Sequence, residues 1–252
     1  MSLPQAAGPG QALSREVEDA FEGVLKGQQL DVAGGRMLLL VAGLRPVKDV
    51  LYLADAVDAA WGDGSTLRLV VVGGRLDVEY ASAVEQRSAR SAGAFRVLSA
   101  TLSRSACIDA MRRCAAVVNC SVSEGMAGAL LEAMATSTAV LARDIEGNRA
   151  LAMAAVEALA AFPAADAFAS DGVAPSGAAA ALDGGPFDSG GVRLFGSPED
   201  FVAQAEALML PSGLDGGGSV AAALGVAGVR ASRAMADVER SQWHRVLDSI
   251  TF

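Results

Sequence analysis

The sequence predicts an α/β domain built on a single parallel sheet with helices on both faces. From residue 36 to about 143, short apolar segments alternate with amphipathic stretches of helical period, the pattern of repeated βαβ units. The short segments are almost continuously apolar, as in strands that helices cover on both sides. We expect these strands at residues 37–42, 67–72, 95–98, 116–120 and 139–142.

Two segments between these strands have apolar residues at helical spacing. They are Val50, Ala54, Val57 and Trp61 in the first, and Cys107, Ile108, Met111 and Cys114 in the second. Each is expected to bury one face. A further helix should begin at Pro198, because proline suits the first turn and Glu199 and Asp200 favour the positive end of the helix dipole. It should end by Pro211.

The predicted domain boundaries follow from composition. The chain of 252 residues exceeds one domain of roughly 150 residues, but the surplus lacks domain-like patterning. We interpret residues 1–36 as a tail with one short helix. Residues 37–247 form a Rossmann-like domain, interrupted at 163–191 by a stretch rich in alanine, glycine and proline that predicts a flexible insertion.

Composition excludes several classes of function. A net charge of −9 argues against a nucleic-acid binder, because such affinity comes largely from Lys and Arg neutralising phosphates. The apolar runs are strand-sized, far shorter than the roughly 18 residues that span a bilayer, and no secretory signal is visible. The three cysteines form no C-x-x-C pair, which favours free thiols and a cytoplasmic location. The single histidine, His244, removes histidine triads and clusters of histidine ligands.

The most informative stretch is residues 121–135, which follows a predicted strand and opens a helix. It holds Glu124 and Glu132, with Gly125 and Gly128 making the turn. Glu124 should lie in the loop at the carboxyl end of the strand, and Glu132 about two turns into the helix. The alternative is that both glutamates are ordinary solvated residues.

Between the two glutamates, the N–H groups of Gly125, Met126 and Ala127 are expected at the helix N-terminus, where free N–H groups bind anions. Two acceptors that flank an anion site suit a ligand with hydroxyls at both ends and phosphates in the middle. A nucleoside diphosphate sugar has this layout.

These residues resemble the hallmark of the family 4 retaining glycosyltransferases, the "glycosyl transferases group 1" domain. That hallmark is a Glu-x7-Glu motif of the form E-G, a few small or apolar residues, then LLEAMA, matched here by Ser123-Glu124-Gly125 and residues 130–135. The resemblance implies the C-terminal, donor-binding half of a GT-B fold. It also implies that Glu124 contacts the donor hexose and Glu132 the ribose.

A second match lies at residues 42–49, Ala-Gly-Leu-Arg-Pro-Val-Lys-Asp. The family pattern is G-R-L-x-x-x-K-G, in which the arginine and lysine neutralise the donor diphosphate. Lys48 matches the lysine, whereas Gly43 stands at the arginine position and Arg45 lies two residues later. The resemblance therefore implies Lys48, Arg45 and Glu124 as catalytic residues. The alternative for Lys48 and Arg45 is a solvated loop.

Further agreement comes from residues 139–148, which are similar to the family strand and loop ending in Gly-Asn, and from residues 191–195. Taken together, these matching segments especially resemble those of glycosyltransferase 1 domain-containing proteins. No Asp-x-Asp motif occurs, which favours a metal-independent hexosyltransferase that uses side chains and a helix dipole in place of a metal. We expect no cofactor, the nucleotide sugar being the donor substrate.

The sequence is compatible with three functions. The first is a donor-binding domain that supports retaining glycosyl transfer. The second is a non-catalytic nucleotide-sugar-binding or interaction module that relies on a partner chain for the acceptor half, since only the second of the family's two domains is recognisable. The third, a dinucleotide oxidoreductase, has little support, because residues 72–75 and 41–44 are incomplete against G-x-G-x-x-G.

Overall fold

The computed structural model describes residues 37–62, 65–125, 127–161, 191–209, 227–228 and 231–236. Its strands are all parallel and form one six-stranded sheet in the order β3-β2-β1-β4-β5-β6. They are β1 (Met37–Val41), β2 (Arg68–Val72), β3 (Phe95–Leu98), β4 (Ala116–Asn119), β5 (Ala139–Arg143) and β6 (Val192–Phe195). The predicted fold class is confirmed, and each predicted strand is correct to within one residue at either end.

The helices alternate with the strands. They are α1 (Ala54–Trp61), α2 (Val78–Arg90), α3 (Arg104–Arg113), α4 (Gly128–Ala135), α5 (Glu146–Ala161) and α6 (Pro198–Ala207). Two 3₁₀ turns, Pro46–Lys48 and Val50–Leu53, precede α1. The helices predicted before Trp61, around Met111 and from Pro198 are therefore confirmed.

Side-chain caps explain where three of these helices begin. Asp77 accepts a hydrogen bond from the N–H of Tyr80 at 2.9 Å and so caps α2. Ser103 caps α3 and Ser197 caps α6 in the same way. Such oxygens satisfy N–H groups that have no partner within a helix. Pro198 occupies the first turn of α6, as its fixed φ favours.

Each face of the sheet is covered by its own hydrophobic core. Leu38 and Leu40 of β1 point into one core, whereas Met37 and Leu39 point into the other, as the two-residue period of a strand requires. Helices α1, α2 and α6 cover the first core, and α3, α4 and α5 cover the second. The sheet is thus wound on both sides, as predicted.

The order of the strands reverses between β1 and β4, which are direct neighbours in the sheet. In sheets of this order, the loops after the two strands diverge and leave a crevice at their carboxyl ends, where ligands bind. The loops that carry Lys48 and Glu124 leave the sheet at this point. The predicted tail at 1–36 and the segment of His244 lie outside the described residues, as does the predicted insertion at 163–191 except for its last residue, Gly191.

Candidate active site between strands 1 and 4

An ion pair joins the loops that follow the first and fourth strands. Lys48, at the end of the first 3₁₀ turn, donates from Nζ to Oε1 of Glu124. The two side chains keep only 18% and 10% of their exposure. The N–H of Val122 donates to the carbonyl of Val47 at 3.0 Å and joins the two loops beside the pair. The structure therefore brings together two of the three predicted catalytic residues.

Glu124 is held through one of its two carboxylate oxygens. Oε1 accepts hydrogen bonds from Lys48, from Nδ2 of Asn119 at 3.1 Å and from Oγ of Ser121 at 2.7 Å. No described residue donates to Oε2. Burial raises the pKa of Glu124, but the hydrogen bonds from its three donors outweigh burial and hold the pKa below its ordinary value. Glu124 is therefore an ionised acceptor with one oxygen left for a ligand.

Gly147, at the start of α5, packs against the backbone of the loop that carries Glu124. A Cβ placed on this glycine would lie 2.1 Å from the carbonyl oxygen of Glu124 and 2.9 Å from its carbonyl carbon. Both atoms belong to the backbone, so no side-chain rotation would relieve the contact. The glycine of the Gly-Asn pair is thus required by a close approach of two backbones.

The N-terminus of α4 lies later than the sequence indicates. The helix begins at Gly128, and Ala127 is its N-cap with φ −80° and ψ 86° and without a capping side chain. Gly125 precedes the helix in a bend, and Met126 lies outside the described residues. The N–H groups of Gly128 and Ala129 are therefore added to the predicted donors of the first turn, since neither has an acceptor in the described part of the chain.

Glu132 lies in the second turn of α4 and carries its own counter-ion. Its Oε1 accepts from Nε of Arg104, the first residue of α3, at 3.1 Å. The arginine side chain is 82% exposed, so the pair lies at the surface and is weakly held. The structure does not pair Glu132 with Glu124 or with Lys48.

The position of the family arginine is apolar in this chain. A Cβ on Gly43 would meet the Leu76 side chain at 2.4 Å, so the leucine covers this glycine. Arg45 is exposed, and its side chain has no partner among the residues that the structure describes. Lys48 is therefore the one predicted phosphate-binding side chain that the structure holds at Glu124.

Asp49 fixes the loop that presents Lys48. Its backbone is left-handed, with φ 43° and ψ 42°, at the place where the family pattern has glycine. Arg143 holds its carboxylate at 2.8 Å, donates to the carbonyl of Cys120 at 3.2 Å and stacks over the Tyr52 ring at 3.8 Å. One guanidinium at the end of β5 thus ties the loops after β1 and β4 together.

Asp49→Gly should change the free energy of unfolding by less than about 1 kcal/mol, because relief of the left-handed strain offsets the lost ion pair. Asp49→Val should cost about 3 kcal/mol, because a β-branched residue is strained in this conformation and the ion pair is lost as well. Urea denaturation of both variants checks this. Equal losses of unfolding free energy in the two variants would show that the left-handed backbone at residue 49 does not contribute to the difference.

Sequence reasoning missed three polar contacts of the site. Asn119 and Ser121 hold Glu124, and Arg104 holds Glu132. Asn119 is the last residue of an apolar strand and carries a polar side chain at the carboxyl edge, which was the available signal. No sequence pattern marks Arg104 as the partner of Glu132, because the two residues are 28 positions apart and lie on different helices.

Within the ranges that the structure describes, no group of three or more His, Cys, Asp or Glu side chains is arranged to hold a metal ion. In the same ranges, no helix is both long and apolar enough to cross a membrane.

The comparisons with solved structures agree with this fold. HepE of Anabaena, solved with UDP and glucose, superposes with a TM-score of 0.58 at 16% identity, over 97% of this chain and 53% of HepE. The UDP-forming trehalose-phosphate synthase of Burkholderia vietnamiensis gives 0.57 at 10% identity, over 94% and 50%. At these identities the likeness establishes the fold alone, that of GT-B glycosyltransferases.

Sequence comparison establishes the family. Glycosyltransferase 1 domain-containing protein 1 of Xenopus tropicalis is 38% identical over 116 residues, which are 46% of this chain and 33% of the relative. The chain thus spans a third of this curated relative and about half of the superposed structures. The family described as glycosyl transferases group 1 matches residues 35–172, more than half of the chain. This chain therefore belongs to the glycosyl transferases group 1 family.

Proposed function

We propose that this domain binds a nucleoside diphosphate sugar at the carboxyl ends of β1 and β4 and supports hexosyl transfer with retention, as in glycosyltransferase family 4. The observation that carries the proposal is the Lys48–Glu124 ion pair at the point where the strand order reverses. The loop of Glu124 leads directly into the uncapped N-terminus of α4. Lys48 thus offers a positive charge, Glu124 a hydrogen-bond acceptor and the start of α4 free N–H groups, which are the groups that a nucleotide sugar requires.

Lys48 is the residue we assign to the diphosphate. An ammonium group has three donors, and among the described residues one of them is used, in the bond to Glu124. The remaining donors, with the N–H groups of Gly128 and Ala129, are suited to phosphate oxygens. When the bond between the sugar and the diphosphate breaks, negative charge develops on the leaving oxygen, and these groups stabilise it. Arg45 is exposed on the same loop and is assigned a secondary role there.

The two glutamates are assigned to the hydroxyl groups of the donor. Oε2 of Glu124 has no described donor and is assigned to a hexose hydroxyl, with the nearby backbone of Gly125 and Ala127 as further contacts. Met126 lies outside the described residues and stays a predicted donor contact. Glu132 is assigned to the ribose. Its exposed partner Arg104 is held by one hydrogen bond, so ribose hydroxyls can displace it at little cost.

The proposal includes no metal and no cofactor, because Lys48 and the helix N-terminus supply the positive charge that a metal would provide. We also infer a cytoplasmic location, which the three free cysteines support. HepE was solved with UDP-glucose as well as with UDP. UDP-glucose is therefore the first donor to test.

The function is tested by following release of UDP from UDP-glucose by chromatography, with the pure chain, with and without a chelator. Release that is unaffected by the chelator and lost in Glu124→Gln supports a metal-independent transferase. Release that stops with the chelator would contradict metal independence. Release that persists in Glu124→Gln would contradict the assigned site.

A second candidate is a non-catalytic nucleotide-sugar-binding module that depends on a partner chain for the acceptor half. The observation in its favour is a set of exposed apolar side chains near the carboxyl edge, Leu76 and Val78 at 67% and Val122 at 50% exposure. Such side chains are typical of a surface that another domain covers. Binding of UDP-glucose without any turnover would favour this module, whereas turnover by the pure chain would exclude it.

A further inference from the structure

Asn119 is the last residue of β4 and connects Glu124 to the body of the domain. Its Nδ2 donates to Oε1 of Glu124 at 3.1 Å. Its Oδ1 accepts from the N–H of Ser121 at 3.1 Å and from Nδ2 of Asn148 at 3.2 Å. The side chain therefore makes one contact as a donor and two as an acceptor.

The orientation of this amide is determined by a chain of contacts that begins at a backbone carbonyl. The carbonyl of Arg143 can only accept, so it must face Nδ2 of Asn148, at 2.9 Å. The same Nδ2 then faces Oδ1 of Asn119, which leaves Nδ2 of Asn119 facing Glu124. The N–H of Ser121 fixes the same orientation independently. Asn119 therefore presents a donor to the carboxylate and cannot present an acceptor.

This arrangement leaves one buried group without a partner. Asn148 is 1% exposed, and its Oδ1 has no hydrogen bond in the described structure. A buried acceptor without a donor is unfavourable. Rotating the Asn148 amide by 180° would place its Oδ1 against Oδ1 of Asn119 and the carbonyl oxygen of Arg143. Two repulsive contacts between acceptors are less favourable than one unpaired acceptor. The orientation of Asn148 thus leaves its own Oδ1 unpaired but provides the hydrogen bond from Nδ2 to Oδ1 of Asn119.

We propose that Asn119 is a positioning residue, which holds Oε1 of Glu124 so that Oε2 faces the sugar of the donor. The proposal rests on the function proposed above. Asn119 acts through Glu124 and needs no contact with the ligand. Its donor N–H selects the ionised form of the carboxylate, the form that accepts hydrogen bonds from sugar hydroxyls.

Other charged groups around Glu124 come from the neighbouring elements. Lys48 contacts it directly. The adjoining loops and the start of α5 contribute the Asp49–Arg143 and Asp144–Arg149 ion pairs, the carboxylate of Glu146 and the thiol of Cys120. Burial raises the pKa of that thiol. None of these groups is a histidine, the side chain that ordinarily titrates near neutral pH.

Asn119→Asp provides the test, because it replaces the donor by a second carboxylate of the same shape. Two adjacent carboxylates share a proton at acidic pH, and the proton on Asp restores a donor to Glu124. UDP-glucose should therefore bind about 10-fold more weakly at about pH 8 than at about pH 5.5. The parent chain should show no such dependence, and Asn119→Ala should be weaker at both pH values.

A second measurement does not depend on ligand binding. Carbon-13 NMR titration should show that Asn119→Ala raises the pKa of Glu124, identified by the signal missing in Glu124→Gln. The control is Ser88→Ala, which removes a buried hydroxyl that accepts from the N–H of Val97, on the β3 side of the sheet. It should leave both the pKa and the binding unchanged.

The outcomes separate the two proposals. If the parent chain binds no nucleotide sugar, the proposed function fails, and the NMR titration still decides whether Asn119 controls Glu124. An unchanged pKa in Asn119→Ala, or pH-independent binding by Asn119→Asp, would overturn the positioning role. Asn119→Ser provides the same NMR comparison if Asn119→Ala does not fold.

Discussion

Gly147→Ala is expected to weaken binding of the donor by about 100-fold, because it displaces the loop that carries Glu124. The new Cβ would lie 2.1 Å from the Glu124 carbonyl oxygen. No side chain can move to make room, so the loop or the start of α5 must shift. We also expect a loss of about 2 kcal/mol in the free energy of unfolding, as in other overpacked sites. Titration calorimetry with UDP-glucose and urea denaturation measure the two effects.

Gly196→Ala is the matched control for this substitution. Gly196 follows β6, and a Cβ there would meet no atom within 4 Å. Its variant should bind as the parent chain does, with a stability change within about 0.5 kcal/mol. If both glycine variants bound UDP-glucose equally well, the close approach of Gly147 to Glu124 would have no functional importance.

Lys48→Met should weaken donor binding by about 100-fold, because a charged hydrogen bond to the diphosphate is lost. It should also cost about 2 kcal/mol of stability, since Glu124 is left with a largely buried charge. The double variant Lys48→Met with Glu124→Gln should recover most of this stability, because the unpaired charge is removed. It should not recover binding. Urea denaturation and calorimetry on the three variants separate the two effects.

Arg87→Met controls for the loss of an ion pair as such. Arg87 donates to Asp58 at 2.6 Å and to Asp55 at 2.8 Å, and its side chain is 19% exposed, close to the value for Lys48. It lies near the C-terminal end of α2, away from the carboxyl edge of the sheet. Its variant should lose stability and keep binding. Lys48→Met that binds the donor normally would contradict the role of Lys48 at the diphosphate.

The strands could be predicted from the sequence because both faces of the sheet are buried. β1 and β2 carry apolar residues toward both cores, so β1 appears in the sequence as an uninterrupted apolar run, and β2 does so after its first residue, Arg68. Glu124 was placed at the carboxyl end of its strand from the strand and turn pattern, whereas Lys48 was singled out by the family resemblance. Their meeting at one edge of the sheet depends on the strand order, which places β1 next to β4.

The start of α4 and the contacts of Asn119 could not be predicted in this way. Gly125 and Gly128 indicate a turn before α4 but do not fix the residue at which the helix begins. Alanine favours a helix, yet Ala127 is the N-cap with ψ 86°, so α4 begins at Gly128. The role of Asn119 depends on Asn148, which lies 29 residues away. Contacts across such a separation are decided by tertiary packing.

The most direct test of the central claim is titration calorimetry of the pure chain with UDP-, GDP- and ADP-sugars up to millimolar concentration. We expect one of these donors to bind at a single site. Glu132→Ala should weaken it by about 10-fold, through loss of the ribose contact. Absence of binding for every donor, or binding that Glu132→Ala leaves unchanged, would contradict a nucleotide-sugar site between β1 and β4.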